Sequence, residues 1–407
     1  MPSKEASQFG INNIPYGIAS SAKHSSPQCV TRIGDNVIFL ASLSASSTFK
    51  DISADLPTIF QNSTLNAFAS LPKQVHSQVR AAIQAAYKDG SDISHSEDIK
   101  DVTLHVPVQI GDFTDFSASR DHVLNAGEAI LGERSYPPSF HKYPIGYAGR
   151  CSSIVPSGTA IQRPLGQFIE NYAAAEKNII FGPCRALDYE LEVGAVVGRP
   201  LAGGKGLHAK DAEEHIFGLI LVNDWSARDI QGLEMNPLGP FNGKNFATTV
   251  SSWVVTSEAL EAHKVAAPER MSPVAGFLDA ENAVNYRIDL AAEITRNGAV
   301  SNTCKVGFDT MYWTFAHMLA HHTVGGCGLR TGDLIASGTV SGQGDEEHGC
   351  LLEMTKNGKV PWKLSDGDEL RYLEDGDEVR FTGIVGDEKD GIGFGECIGT
   401  VLPARQA

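Results

Sequence analysis

The residues best suited to chemistry lie between Leu187 and Gln231, in two apolar runs that carry carboxylates where a buried strand ordinarily carries none. The first, LDYELEVGAVVG from Leu187 to Gly198, holds Glu190 and Glu192. The second, HIFGLILVNDWSARDIQ from His215 to Gln231, places Asp224 just past an apolar run from Ile216 to Val222. In an extended chain side chains two apart share a face, so Glu190 and Glu192 point one way and Val193, Ala195 and Val197 the other. Like charges then meet in apolar surroundings, where an unpaired carboxylate is costly or takes up a proton. A hard divalent cation held by oxygen ligands is the simplest way to neutralise them. For Glu190 and Glu192 alone a wetted sheet face is the competing explanation. Asp224, Arg228 and Gln231 close behind favour the metal.

Further candidates flank this stretch. In IGDFTDFSASRDH, Asp115 and His122 are seven residues apart on turn-rich text, a spacing that suits a carboxylate ligand at a strand end and an imidazole base across a cavity. Tyr147, in YPIGYAGR, offers a hydroxyl donor or simple aromatic packing. Lys244, in the turn GPFNGK, is either a solvated surface lysine or a partner for carboxylates or an oxyanion. Glu353 lies in the apolar run GCLLEMT, read as a strand, and a buried glutamate there wants a partner such as His122. His317 and His321 have zinc-like i, i+4 spacing, but HExxH is missing, which favours a histidine-bearing helix that faces a partner. GIGFGECIG misses the dinucleotide pattern and lacks a following helix, and the chain has no GxSxG serine elbow.

The elements that must position these groups follow from pattern. Residues 1 to about 105 have their own texture, with short apolar bursts among Ser, Asn and Lys, and read as a small separate domain without a catalytic cluster. Apolar positions at helical spacing run from Thr58 to Tyr87; Gly90 to Lys100 reads as a linker or turn, and Val106 to Ile110 as a strand. The domain boundary is expected near Leu104 to Gln109. Beyond it, Thr248 to Val250 read as strand, Ala259 to Asn285 as a long connection and Phe308 to His322 as a helix, with strands again towards the C-terminus. With 407 residues, 42% of them hydrophobic and 20% charged, the chain can bury the cores of two domains. A net charge of −16 argues against nucleic acid or an anionic membrane as partner. Seven scattered cysteines without a CxxC pair read as free buried thiols, and no run has secretory or membrane-spanning character, so a cytoplasmic setting is expected.

GDFTDF with His122, LDYELE, NDWSARDIQ, LGPFNGK with the threonines after it, and GDLIASGTVSG, in this order, resemble the fumarylacetoacetate hydrolase family. The opening NIPYG and closing FGECIGTVLP extend the resemblance over nearly the whole chain. It implies a mainly β fold with α, in which residues 1–106 form an N-terminal SH3-like β-barrel and residues 107–407 a catalytic β-roll, assembled as a homodimer. It further implies that Asp115, Glu190, Glu192 and Asp224 bind calcium or magnesium and that Lys244 and Thr248 help hold a second cation. His122 becomes the base, oriented by Glu353; Arg228, Gln231 and Lys244 surround an oxyanion; Tyr147, Gln231 and Thr339 contact a small diketone acid. The implied reaction converts 4-fumarylacetoacetate and water to fumarate and acetoacetate, the last step of tyrosine and phenylalanine breakdown. Such a cleavage needs a water nucleophile, a base and positive charge for an alkoxide and then an enolate, which these residue types supply. Three positions depart from the family: Ser117 and Met235 replace tyrosines, and Leu131 replaces an arginine. Machinery kept while anion-recognising groups are lost implies a less anionic or bulkier diketone. The alternative is then a hydrolase, decarboxylase or carbon–carbon bond-forming enzyme of another pathway.

Overall fold

Short runs of β-branched and aromatic residues between Gly, Asn and Ser fold as strands at the start of the chain. The computed structural model describes residues 3, 5–88, 96–281, 283–387 and 389–406. Its N-terminal part contains β1 (Tyr16–Ser21), β2 (Gln28–Ile33), β3 (Asn36–Phe39), helix α1 (Lys73–Tyr87), β4 (Ser96–Asp98) and β5 (Val102–His105). Then come β6 (Phe113–Phe116), α2 (Arg120–Leu131), β7 (Gly146–Ala148), β8 (Leu191–Val197), β9 (Ile216–Asn223) and α3 (Arg228–Leu238). The chain continues through β10 (Thr248–Val250), β11 (Trp253–Thr256), β12 (Asp289–Arg296), β13 (Ala299–Gly307), α4 (Phe315–Thr323) and β14 (Leu334–Ala336). It ends with the single-turn helix α5 (Leu351–Met354), β15 (Glu378–Val385) and β16 (Ile392–Leu402). The fold is mixed α/β and rich in sheet.

One large sheet runs in the order β4-β3-β2-β1-β11-β9-β8-β14-β6-β7, with β10 paired to β9. The N-terminal hairpins join the rest of this sheet where Tyr16 and Gly17 of β1 pair with Val254 and Trp253 of β11. A second sheet, β13-β12-β15-β16, covers the other side of a core that includes Leu191, Val193, Ala195, Trp225 and Phe381. Another core lies under the N-terminal part and joins Tyr16, Phe68 and Ile83 to Val196, Val222, Leu334 and Ala336. β8 is therefore buried on both faces: Val193, Ala195 and Val197 belong to the first core and Val196 to the second. That two-sided burial explains why its sequence is an unbroken apolar run.

Several expectations need correction. The periodic stretch from Thr58 to Tyr87 is three helices, Leu56–Ile59, Asn66–Ala69 and α1, because Asn62 to Thr64 and then Pro72 interrupt it. The strand expected at Val106 to Ile110 lies earlier, in β5; Pro107 lacks an N–H for a ladder, and its carbonyl instead accepts from the Leu65 amide. Of the linker from Gly90 to Lys100, residues 89–95 lie outside the described residues, while Ser96–Asp98 form a sheet strand paired to β3. The helix expected from Phe308 starts at Phe315, after a single 3-10 turn at Phe308–Thr310. Part of the connection after Ala259 is a two-stranded pair, Lys264–Ala266 with Val284–Tyr286. GCLLEMT is not a strand: Leu351–Met354 turn as α5. A short apolar run does not distinguish the two by periodicity. The cysteines are free, but Cys327 is exposed and Cys151 only half-buried.

Candidate active site

The register of the large sheet gathers the carboxylates. Asp115 pairs with Ala336 on one side and Tyr147 on the other, and Ala336 pairs in turn with Gly194. Paired residues share a face, so Asp115 and Tyr147 project from the same side as Glu192, two residues before Gly194. Glu192 lies opposite Val222, and Asp224 follows the end of β9. Asp115, Glu190 and Glu192 each bring a carboxylate oxygen to within 4.8 Å of the others.

These carboxylates are not equivalent. Glu190 is compensated by the protein: Lys244 Nζ lies 2.7 Å from its Oε2 and Arg228 Nη1 2.7 Å from its Oε1. Burial alone would raise its pKa, but Lys244 and Arg228 outweigh that and hold it below the usual carboxylate range. Asp224 accepts from Lys244 Nζ at 2.8 Å and from the Tyr147 hydroxyl at 2.6 Å on Oδ2, and from Thr248 Oγ1 at 2.8 Å on Oδ1. Burial would lower Lys244, yet Asp224 and Glu190 raise it, so the ammonium stays charged. Burial and then Asp224 push the Tyr147 phenol well up, and it remains a donor.

Glu192 and Asp115 have no such direct ion pair among the described residues. Glu192 is 0% exposed, and both of its oxygens, with Asp115 Oδ1, lack a hydrogen-bond partner among the described residues. Burial, followed by the neighbouring carboxylates, raises both acids well above their ordinary values. Orphaned, fully buried carboxylate oxygens fit a hard cation with oxygen ligands. Arg228 and Lys244 already serve Glu190, so Glu192 and Asp115 are the carboxylates of this group that most lack positive charge beside them.

The candidate base, His122, sits beside this cluster. His122 is in the first turn of α2, where the Ser119 hydroxyl caps the helix by accepting from the His122 amide. Its Nδ1 lies 2.7 Å from Glu353 Oε1. Burial would raise Glu353, but facing His122 outweighs it and holds the carboxyl low. An ionised carboxylate only accepts, so Nδ1 carries the proton and Nε2 is left as the basic nitrogen. Gln231 Oε1 accepts from Arg228 Nη1 at 3.2 Å, while Arg228 Nη2 is buried without a partner among the described residues. Thr339 is buried, and its hydroxyl has no partner among the described residues.

Three comparisons with known proteins bear on this chain. The model described as Fumarylacetoacetase N-terminal matches residues 12–109, and that described as Fumarylacetoacetate (FAA) hydrolase C-terminal matches residues 112–402. The chain belongs to the fumarylacetoacetate hydrolase family. It is 44% identical to a fumarylacetoacetase of Aspergillus fumigatus, covering 98% of this chain and 96% of the relative. It is 39% identical to the fumarylacetoacetase of Homo sapiens over 99% and 98% of the two chains. A solved fumarylacetoacetate hydrolase from Exiguobacterium antarcticum shares the fold, with a TM-score of 0.53 at 17% identity, covering 96% of this chain and all of that one.

Within this family framework two of the three departures, Leu131 and Met235, are exposed, while Ser117 is half-buried two residues from Asp115. Leu131 is 77% exposed at the end of α2 and Met235 is 45% exposed on α3, whereas the Ser117 amide is tied to the Ile145 carbonyl. The α4 histidines each make contacts within the chain. Buried His317 bonds Thr314, His322 bonds Thr114, and His321 stacks on Tyr143. Sequence reasoning missed the residues that hold Glu353, whose carboxylate also accepts from Ser341 Oγ at 2.7 Å and Asn125 Nδ2 at 2.9 Å. It also missed Asp188, inside the very motif it singled out. The available signal was one more acidic residue, two before Glu190, in a segment already too apolar for charge.

Proposed function

We propose that this protein hydrolyses 4-fumarylacetoacetate to fumarate and acetoacetate with the help of a hard divalent cation, calcium or magnesium. The observation that carries the reading is the His122–Glu353 pair beside orphaned carboxylates and two buried cations of the chain, Lys244 and Arg228. Asp115, Glu190, Glu192 and Asp224 would hold the cation, with Thr248 and Lys244 supporting a second one. When bound, it supplies positive charge to polarise the substrate's carbonyl oxygens. His122 takes a proton from water at Nε2 while Glu353 stabilises the resulting imidazolium through Nδ1. Hydroxide adds to the carbonyl carbon, and Lys244, Arg228 and Gln231 stabilise the oxyanion. Collapse breaks the carbon–carbon bond, and the proton held by His122 passes to the departing enolate carbon. Tyr147 and Thr339 complete the substrate contacts.

The relatives carry this one activity over their full length, which supports it over another pathway inferred from Ser117, Leu131 and Met235. The proposal includes an SH3-like unit in residues 1–106 and a β-roll in residues 107–407, supported by family models that meet between residues 109 and 112. It includes a homodimer, supported by exposed Phe181, Leu238 and Phe241, and a cytoplasmic location, supported by seven free cysteines. No helix among the described residues is long and apolar enough to cross a membrane. The test is turnover of purified, metal-loaded protein on fumarylacetoacetate beside acylpyruvates lacking its second carboxylate. Preference for fumarylacetoacetate is expected; a clear preference for the others would overturn the substrate assignment.

A further inference from the structure

We infer that Asp188 is a positioning residue: a buried carboxylate that ties Arg228 to the helix bearing Glu353, and so fixes the cation-binding cluster and the His122 base in one frame. The inference rests on the function proposed above, since it concerns how the base is held.

Asp188 is fully buried and pairs with Ser226 in a two-residue bridge between Leu187–Asp188 and Ser226–Ala227. Four N–H donors converge on it. Oδ1 accepts from the Tyr189 amide at 2.8 Å and the Leu351 amide at 2.7 Å. Oδ2 accepts from Arg228 Nε at 2.8 Å and the Leu352 amide at 2.9 Å. Leu351 and Leu352 open α5, and helix-opening amides lack partners within their own helix. The residue before them, Cys350, makes no side-chain cap. A carboxylate from elsewhere in the chain therefore caps this turn and also complements its dipole.

The next residue along is Glu353, which bonds His122. On the other side, the guanidinium held by Asp188 reaches Glu190 through Nη1. An unbroken series of direct contacts thus runs from Glu190 through Arg228, Asp188, the α5 amides and Glu353 to His122. With Nε anchored on Asp188 and Nη1 on Glu190, the buried Nη2 is left without a protein partner. Asp188 itself acts only through Arg228 and Glu353. Asparagine in its place presents an NH2 group to a shell made entirely of donors, so at least one contact opens.

The test is a double-mutant cycle on the full-length, metal-loaded protein, with metal content and thermal midpoint recorded for each variant. Asp188→Asn is expected to lower kcat about 10- to 100-fold, the usual cost of losing a partner that orients a site residue, with KM within about twofold and metal content unchanged. In a Glu353→Gln background the same substitution should cost at least about threefold less than in the wild type, because one of the two groups it positions no longer acts. A purely structural role predicts losses that multiply, or a change confined to the thermal midpoint, and either result overturns the inference. If Asp188→Asn does not fold, Asp188→Glu keeps the charge and displaces α5 by one methylene; the same non-additivity with Glu353→Gln is expected, and its absence refutes the proposal. Wild-type turnover in Glu353→Gln alone would reject the base assignment itself, which separates failure of the proposed mechanism from failure of this inference.

Discussion

Removing the cation from this protein should load protons in its place. In the cation-free protein, burial and neighbouring carboxylates raise Glu192 and Asp115 well above their ordinary values. Binding a divalent cation requires the ionised forms, so cation uptake at a pH below these raised values should release protons. One released proton makes the apparent dissociation constant fall tenfold per pH unit, about 1.4 kcal/mol per unit, and two double that slope. Stability follows the same sign. Below the unfolded values, about pH 4, both states are protonated and the pair contributes nothing. As pH rises towards the raised folded values the native cation-free state binds more protons than the unfolded chain, so its stability falls. Glu190, held low by Lys244 and Arg228, runs the other way: its contribution is present above about pH 4.5 and is lost as pH falls through its depressed value. The assay is calorimetric titration of chelator-treated protein with calcium or magnesium, in two buffers of different ionisation enthalpy and at three pH values. The buffer difference counts protons, and the pH series gives the slope. Cation uptake without proton release, at an affinity independent of pH, would refute the reasoning.

The other predictions concern the base and one glycine. His122→Ala and Glu353→Gln should each lower kcat by about 10²- to 10⁴-fold while metal content stays at the wild-type level, checked by steady-state kinetics with metal analysis; near-normal turnover in His122→Ala would show that another group is the base. Gly338 has φ +75°, and a Cβ there would meet the Phe116 carbonyl oxygen at 1.9 Å, next to Asp115. Gly338→Ala should therefore cost about 2–4 kcal/mol of stability in denaturant unfolding and displace Asp115, with turnover falling about 100-fold.

What the sequence revealed of the site depended on contrast. Glu190, Glu192 and Asp224 stood out because charge in an apolar strand demands a compensating partner, and the structure supplies Lys244 and Arg228 for Glu190. Glu353 was legible as a buried partner for His122, but its element was not. α5 is a single turn whose cap comes from Asp188, 163 residues away from Leu351, and no local pattern encodes a cap from so far along the chain. The same limit hid Asn125 and Ser341, ordinary polar residues until the fold brings them to Glu353. The three helices between Leu56 and Tyr87 merged into one because their apolar faces share a core. Periodicity reports the face that is covered, not where the backbone turns.

The pairing of β1 with β11 joins the N-terminal quarter of the chain to the rest. Tyr16 and Phe68 share their core with Val196, Val222 and Leu334, on the strands that carry or adjoin Glu192, Asp224 and Asp115. A cut near residue 110, where the family models divide the chain, would strip that packing from the face of the sheet that also carries Asp115 and Glu192 and leave β11 as an open edge, inviting self-association. The N-terminal part, residues 1 to about 110, therefore serves as scaffolding for that sheet. Damage to its interior, far from any reacting atom, would reach the chemistry as loss of the sheet on which the carboxylates stand.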